Sequence, residues 1–364
     1  MKRTLTMIVI LLVALCGCSK GKAADGQAVS DEAPTQKSSG WYYFSDSGIH
    51  PAENPASIPP RKFVPWTEAV RVSDAAVVND VPAFLINRLG LMTGADADKA
   101  SEMHTAQFFS QSTAAGILRV GDSTAVRMYR NSFFSEASPT DSGPNAFLAA
   151  YEPESGRFNA LLSSADLGLE ADAQCVSLDR FGSMWYASFK TVKGNKVDFD
   201  YLEFPEIPAK DKSSGAVDLS GVKKLSSESF QKSVTPFGLS DVPETLKPMI
   251  AKLPESLACT IRVYTDSTLS TQTYARRGEG DALEAVAYAS KDRSAMLFSD
   301  GTFYYRGNNS SDSIKTIQLP SLSRGYVYTS FILTGNTLLA AWEEQRFFET
   351  GRSGILETPL PDGV

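Results

Sequence analysis

Residues 326–342 read Tyr326-Val327-Tyr328-Thr329-Ser330-Phe331-Ile332-Leu333-Thr334-Gly335-Asn336-Thr337-Leu338-Leu339-Ala340-Ala341-Trp342. Two apolar runs rich in β-branched and aromatic residues flank Thr334-Gly335-Asn336. Such runs suit a pleated, half-buried surface, and glycine with asparagine supplies the positive φ of a hairpin turn. Working outward, the same shape returns faintly in Val176–Trp185 and Ala289–Leu297, each with an Asp-Arg pair read as a turn, and in Ala83–Arg88 with the strand before it. Further runs, such as Gly116–Val120, Ala125–Arg130, Val197–Phe204 and Thr260–Tyr264, are punctuated by Gly121-Asp122-Ser123, Lys193-Gly194-Asn195 and Ser299-Asp300-Gly301. About twenty strands at hairpin spacing predict an all-β body.

An inner strand, a tight turn and a second apolar strand resemble the start of a β-propeller blade. At four strands per blade, five or six blades are expected, or seven if short strands escape notice. Paired β-sandwiches are the alternative. No Gly-His…Trp-Asp signature marks a WD40 array. Ser353–Pro359 is expected to share a closing blade with Trp41–Phe44 or with Glu68–Val72.

The chain opens Met1-Lys2-Arg3 and runs apolar from Met7 to Leu15, ending Leu15-Cys16-Gly17-Cys18-Ser19. A basic start and a short apolar stretch form a secretory signal, too short for a comfortable membrane span. Leu15-Cys16-Gly17-Cys18 resembles the lipobox of bacterial lipoproteins. That resemblance implies cleavage after residue 17, acylation of Cys18, attachment to membrane lipid through the acylated cysteine, and an address in the cell envelope. Ser19 in place of Asp points to the outer membrane. Residues 18–40 hold no aromatic and one β-branched apolar residue, Val29, as in a flexible tether. Residues 41–364 are expected to form a single propeller-like domain.

Removing residues 1–17 takes away Lys2 and Arg3 and no acid, so the formal charge moves from −7 to −9. An acidic body disfavours nucleic acid, whose phosphates need a positive field. In the body, Cys175 and Cys259 are either buried free thiols or a disulfide, which an exported compartment permits. They form no Cys-x-x-Cys pattern.

Residues 209–257 read as a long insertion decorating the sheets. Asp241-Val242-Pro243-Glu244 resembles a capping box, and Pro248 divides the stretch behind it into two short helical turns. This insertion is the expected partner contact.

Chemistry is sparse. The two histidines, His50 and His104, lack companion ligands or a nucleophile. Asp198 and Asp200 alternate along one strand face, Glu343-Glu344 follow Trp342, and Asp96, Asp98 and Glu102 lack the glycine of a calcium loop. The aromatic neighbours Trp41-Tyr42-Tyr43, Trp185-Tyr186, Tyr304-Tyr305 and Phe347-Phe348 read chiefly as core. No catalytic residue, metal or cofactor is expected. The sequence favours a lipid-anchored, non-catalytic binding or assembly scaffold for an envelope protein or an extracellular ligand. The alternatives are a carboxylate-dependent carbohydrate hydrolase and a purely structural envelope component.

Overall fold

A computed structural model describes residues 40–45, 48–58, 71–78, 81–86, 90–93, 103–104, 112–120, 123–130, 146–152, 157–211, 213–265, 271–290, 293–307, 313–323, 325–344 and 352–361, all within the unit Lys37–Val364. Cys18 and the tether up to Ser39 lie outside these residues, as do Asp96, Asp98, Glu102 and Phe347-Phe348.

Nearly all regular structure here is β. Strands β1 (Gly40–Ser45) and β2 (Gly48–Ala52) form a hairpin. The next sheet is a meander of β3 (Val72–Val78), β4 (Val81–Ile86), β5 (Gly90–Thr93) and β6 (Met103–His104). A second meander contains β7 (Ser112–Val120), β8 (Ser123–Arg130), β9 (Ala146–Glu152) and β10 (Arg157–Ser163). A third contains β11 (Gln174–Phe181), β12 (Met184–Lys193), β13 (Lys196–Phe204) and β14 (Lys223–Leu225). Helix α1 (Ser227–Ser233), β15 (Phe237–Gly238) and helix α2 (Lys247–Ile250) lead into β16 (Leu257–Thr265), β17 (Thr271–Arg276), β18 (Glu279–Ala289), β19 (Ser294–Phe298), β20 (Thr302–Arg306) and β21 (Lys315–Gln318). These form a seven-stranded sheet in the order β15-β17-β16-β18-β19-β20-β21. The last strands, β22 (Tyr326–Thr334), β23 (Thr337–Glu344) and β24 (Ser353–Pro359), join the first hairpin in the order β2-β1-β24-β23-β22. The start and end of the body therefore share a sheet, through β1 and β24, as expected for Trp41–Phe44. Val72, at the end of the alternative closing segment, opens β3 in a different sheet.

Four sheets begin alike. Strands β3, β7, β11 and β22 each carry one extra residue against the following strand: Ser73, Ala115, Val176 and Thr329. Such bulges bend a strand and re-aim its side chains. They recur in an edge strand of all four sheets. The Asp179-Arg180 pair, expected as a turn, instead lies within β11, and the chain turns at Gly182-Ser183.

The seven-stranded sheet departs from four strands per unit. After β17 pairs antiparallel with β16, only Arg277-Gly278 carries the chain across the start of β16 to β18, on its other edge and parallel to it. A Cβ on Gly278 would overlap the backbone of Ser256, Leu257 and Ala258, so this crossing requires glycine.

The core is divided among sheet-to-sheet contacts. One cluster joins Phe44, Ile332 and Ile355 to Phe84 and Ile86; another joins Leu85 and Leu91 to Val126 and Phe158. A third joins Leu118 and Phe147 to Phe189 and Phe204, and a fourth joins Leu297 and Phe303 to Trp342 and Leu356. Because sheets cover them on both faces, β19 and the Leu338–Trp342 run are buried without alternation, which explains their continuous apolar sequence. Following the contacts, β22 meets β3, β3 meets β7, β8 meets β11, β11 meets β17, β16 bonds to β18, and β18 returns to β22.

The segment 209–257 is no detachable decoration. Strand β14 pairs with β13, and Phe230 of α1 packs against Tyr186 and Tyr201. Leu239, Val242, Leu246, Met249 and Leu253 fill the cluster beneath β16 and β18. Its apolar side is spent on the core, so removing it would strip that cluster. The helix expected at Asp241 is also corrected. Leu239–Asp241 is a 3-10 turn, α2 starts at Lys247 with Pro248 in its first turn, and the capped helix is α1, whose Ser226 hydroxyl accepts the Ser229 N–H.

Candidate functional site

A polar cavity of about 180 Å³ lies where β3, β7, β8, β11, β12, β16 and β17 come together. The bulge in β3 brings Asp74 to its wall, where it is buried. The Asp74 carboxylate accepts the Ala75 N–H at 2.9 Å, the Ile117 N–H at 2.7 Å and the Tyr264 hydroxyl at 2.5 Å, which ties β3 to β7 and β16. Burial raises its pKa above the ordinary value; these three donors and the charge of Arg262 oppose that rise. Burial, then the Asp74 charge, pushes the Tyr264 hydroxyl well up.

Three guanidinium groups share the cavity wall. Arg127 of β8 bonds to the Leu178 carbonyl and pairs with Asp179 at 2.9 Å. Arg262 of β16 donates to the Thr329 carbonyl, on the bulge of β22, at 2.9 Å. The Arg180 Nε is buried with no hydrogen-bond partner among the described residues. Gln272 spans the boundary beside it, donating to the Arg180 carbonyl at 3.2 Å and accepting the Gly182 N–H at 3.1 Å. Glu343 is pushed up by burial, against the pull of Arg71 and Arg262 and with the push of Glu284.

Of the described residues singled out from sequence, Trp185 lines this cavity, and the others sit elsewhere or serve the structure. Asp198 is half-exposed and paired with Lys196 at 2.7 Å; Asp200 faces Lys224 at 3.4 Å. They form a solvated charged face. The same hairpin also exposes Val192, Val197 and Phe199. His50 meets the Ser45 hydroxyl at 2.9 Å and packs on Tyr43, while His104 lies in β6. Glu344 is buried and accepts the Arg352 N–H at 3.4 Å. Trp185 and Tyr186 are both buried, as core residues. No group of three or more His, Cys, Asp or Glu able to hold a metal occurs among the described residues.

Cys175 and Cys259 are both buried free thiols, in different clusters, so no disulfide joins them. Burial pushes Cys175 up to about 12 and Cys259 to about 11. Each folded thiol therefore holds its proton more tightly than the unfolded one. Its contribution to stability is complete below the ordinary thiol value and is lost as pH rises through the folded one. A mildly alkaline iodoacetamide pulse should leave both unmodified in the folded protein and alkylate both in denaturant. Rapid labelling of Cys175 in the folded state would contradict its burial.

Asp74, Arg127, Arg262 and Tyr264 were not singled out from the sequence. Their signal is a lone charge inside an apolar strand, as in Ala125-Val126-Arg127-Met128 and Thr260-Ile261-Arg262-Val263, where a charge is costly unless partnered.

The chain belongs to the family described as "Family of unknown function (DUF8086)", whose model matches residues 30–362. It is similar to a Treponema pallidum (strain Nichols) protein described as an "Uncharacterized lipoprotein", with 29% identity over 395 residues, covering 90% of this chain and 88% of that one. The relative is thus a lipoprotein by its description, in keeping with Leu15-Cys16-Gly17-Cys18. Among solved structures, BamB from Moraxella catarrhalis aligns over 91% of this chain and 98% of its own at 12% identity and a TM-score of 0.27. The computationally designed Ika8 protein aligns over 80% and 98% at 8% identity and the same score of 0.27.

Proposed function

We propose that this chain is a lipid-anchored envelope protein whose body binds a partner or ligand without transforming it. Acylated Cys18 holds it to the membrane, on the outer membrane by the Ser19 criterion, and residues 18–40 tether the body. The sheets act as blades of a six-bladed propeller: the seven-stranded sheet counts as two, fused where β16 pairs with β18, and the first hairpin and β22–β24 make the closing blade. The succession of strand contacts that returns from β18 to β22 and β3 supports this reading.

The observation that carries the binding role is the charged cavity among the first strands of these sheets. Its acids are committed: Asp74 takes three donors from its own chain, and Asp179 is paired with Arg127. A hydrolase would need one carboxyl free to give a proton and another free to attack or activate water. That second reading keeps some support because Asp74 and Asp179 line one cavity with Trp185 and Tyr264. If it held, Asp179→Asn would abolish a glycosidase turnover present in the wild type.

Detergent-phase partitioning tests the anchor. The wild type should enter the detergent-rich phase and incorporate palmitate. Cys18→Ser should do neither, because thioether-linked acyl chains contribute about 0.8 kcal/mol per buried methylene. Equal partitioning of the two proteins would remove the proposal.

A further inference from the structure

We propose that the cavity among β3, β7, β11 and β16 binds a single carboxylate group, anchored on Arg180. The inference rests on reading this cavity as the binding site and names the chemistry of what enters it.

Charge carries the argument. Arg127, Arg180 and Arg262 line the cavity against two carboxylates, Asp74 and Asp179. Arg127 is paired with Asp179 at 2.9 Å, and Arg262 acts on Asp74. Arg180 is left with no ion pair among the described residues and with a buried Nε lacking any hydrogen-bond partner. A buried donor without an acceptor is costly, and a ligand that supplies one recovers that cost. With Asp74 and Asp179 both ionised, the residual charge is one positive unit, which a monoanion balances. A doubly charged phosphate would bring its second charge against Asp74 and Asp179. The planar guanidinium fork matches a carboxylate with two parallel hydrogen bonds. Thr271 and Thr273, two apart on β17 and so on one face, line the same space. Ser73 adds a buried hydroxyl with no partner among the described residues. A cavity of about 180 Å³ admits a carboxylate with a few carbons behind it.

The source of the group is either a small organic acid or the end of a polypeptide. The test uses the full-length acylated protein in detergent micelles, read by the fluorescence of Trp185, which lines the cavity. Sodium propionate, tri-alanine with a free carboxylate, tri-alanine amide and inorganic phosphate are titrated separately. Propionate or free tri-alanine should give a saturable change, and whichever binds more tightly identifies the source. The amide should give none, and phosphate should bind more weakly. Arg180→Gln should weaken carboxylate binding by about tenfold or more, as loss of a charge-assisted pair does. Arg180→Lys keeps the charge without the fork; it should fall between wild type and Arg180→Gln, and should serve if Arg180→Gln loses its β circular dichroism. Lys196→Gln, at the exposed β12–β13 turn, should change nothing. Absence of a saturable response to either carboxylate, unchanged binding in folded Arg180 variants, or phosphate binding as tightly as carboxylate would overturn the inference. A failed titration with intact detergent partitioning would remove the carboxylate and leave the anchored protein standing. Loss of partitioning alone would leave the titration untouched.

Discussion

Gly354→Ala should lower stability more than any other single methyl addition to the described sheets, by at least about 3 kcal/mol, the upper part of the range for overpacking. Gly354 lies in β24 opposite Tyr43 of β1 and Trp342 of β23. A Cβ there would overlap the Tyr42 carbonyl oxygen, sit 2.7 Å from the Trp342 ring and lie 2.8 Å from the Tyr42 carbonyl carbon. Backbone atoms cannot rotate aside as a side-chain tip can. The strain falls on the seam joining the first strands of the body to the last. Urea denaturation should show a lower midpoint, with the slope kept if unfolding stays two-state. Gly194→Ala makes the comparison: Gly194 has open space around it and a φ of 60°, so only its backbone conformation objects, at about 1–2 kcal/mol. A Gly354→Ala loss no larger than that of Gly194→Ala would contradict the close approach of β1 and β24.

Asp74→Ala should cost about 3–5 kcal/mol, because it strands the Ile117 N–H and the Tyr264 hydroxyl in a buried site at roughly 1–3 kcal/mol each and opens a cavity beside them. Asp74→Asn keeps a carbonyl acceptor and should cost less. The pH dependence separates the two effects. Burial holds the folded carboxyl above its ordinary value, so its contribution to stability is complete below the unfolded value and fades as pH rises through the raised one. Asparagine has no such proton. The deficit of Asp74→Asn relative to wild type should therefore narrow from mildly acid to neutral pH in chemical denaturation. A deficit that widens would mean that the donors around Asp74 outweigh its burial.

Much of the fold is legible in the sequence because hairpins are local. Thr334-Gly335-Asn336 and Lys193-Gly194-Asn195 announce their turns, and the flanking runs become β22–β23 and β12–β13. The bulges are less visible. Ser73, Ala115, Val176 and Thr329 share no residue type, since a bulge is defined by the partner strand and not by its own side chain. Asp179-Arg180 misleads because two adjacent charges look like a turn, whereas cross-sheet partners and a cavity accommodate them inside β11. The crossover at Gly278 rests on a backbone approach between segments whose pairing no local pattern states. For the same reason Leu239, Val242, Leu246, Met249 and Leu253 look like decoration until the sheet they cover is present. The cavity joins residues from position 73 to position 273, a separation that single-chain periodicity does not reach. Its trace in the sequence is only the isolated charge within each apolar strand.

Mass spectrometry of the N-terminal peptide of the mature protein, recovered from envelopes, tests most directly the claim that this is a lipid-held binding body. The account predicts that the peptide begins at Cys18 and carries a diacylglyceryl thioether with a further acyl chain on its amine. A mature chain beginning at another residue, or an unmodified Cys18, would contradict it.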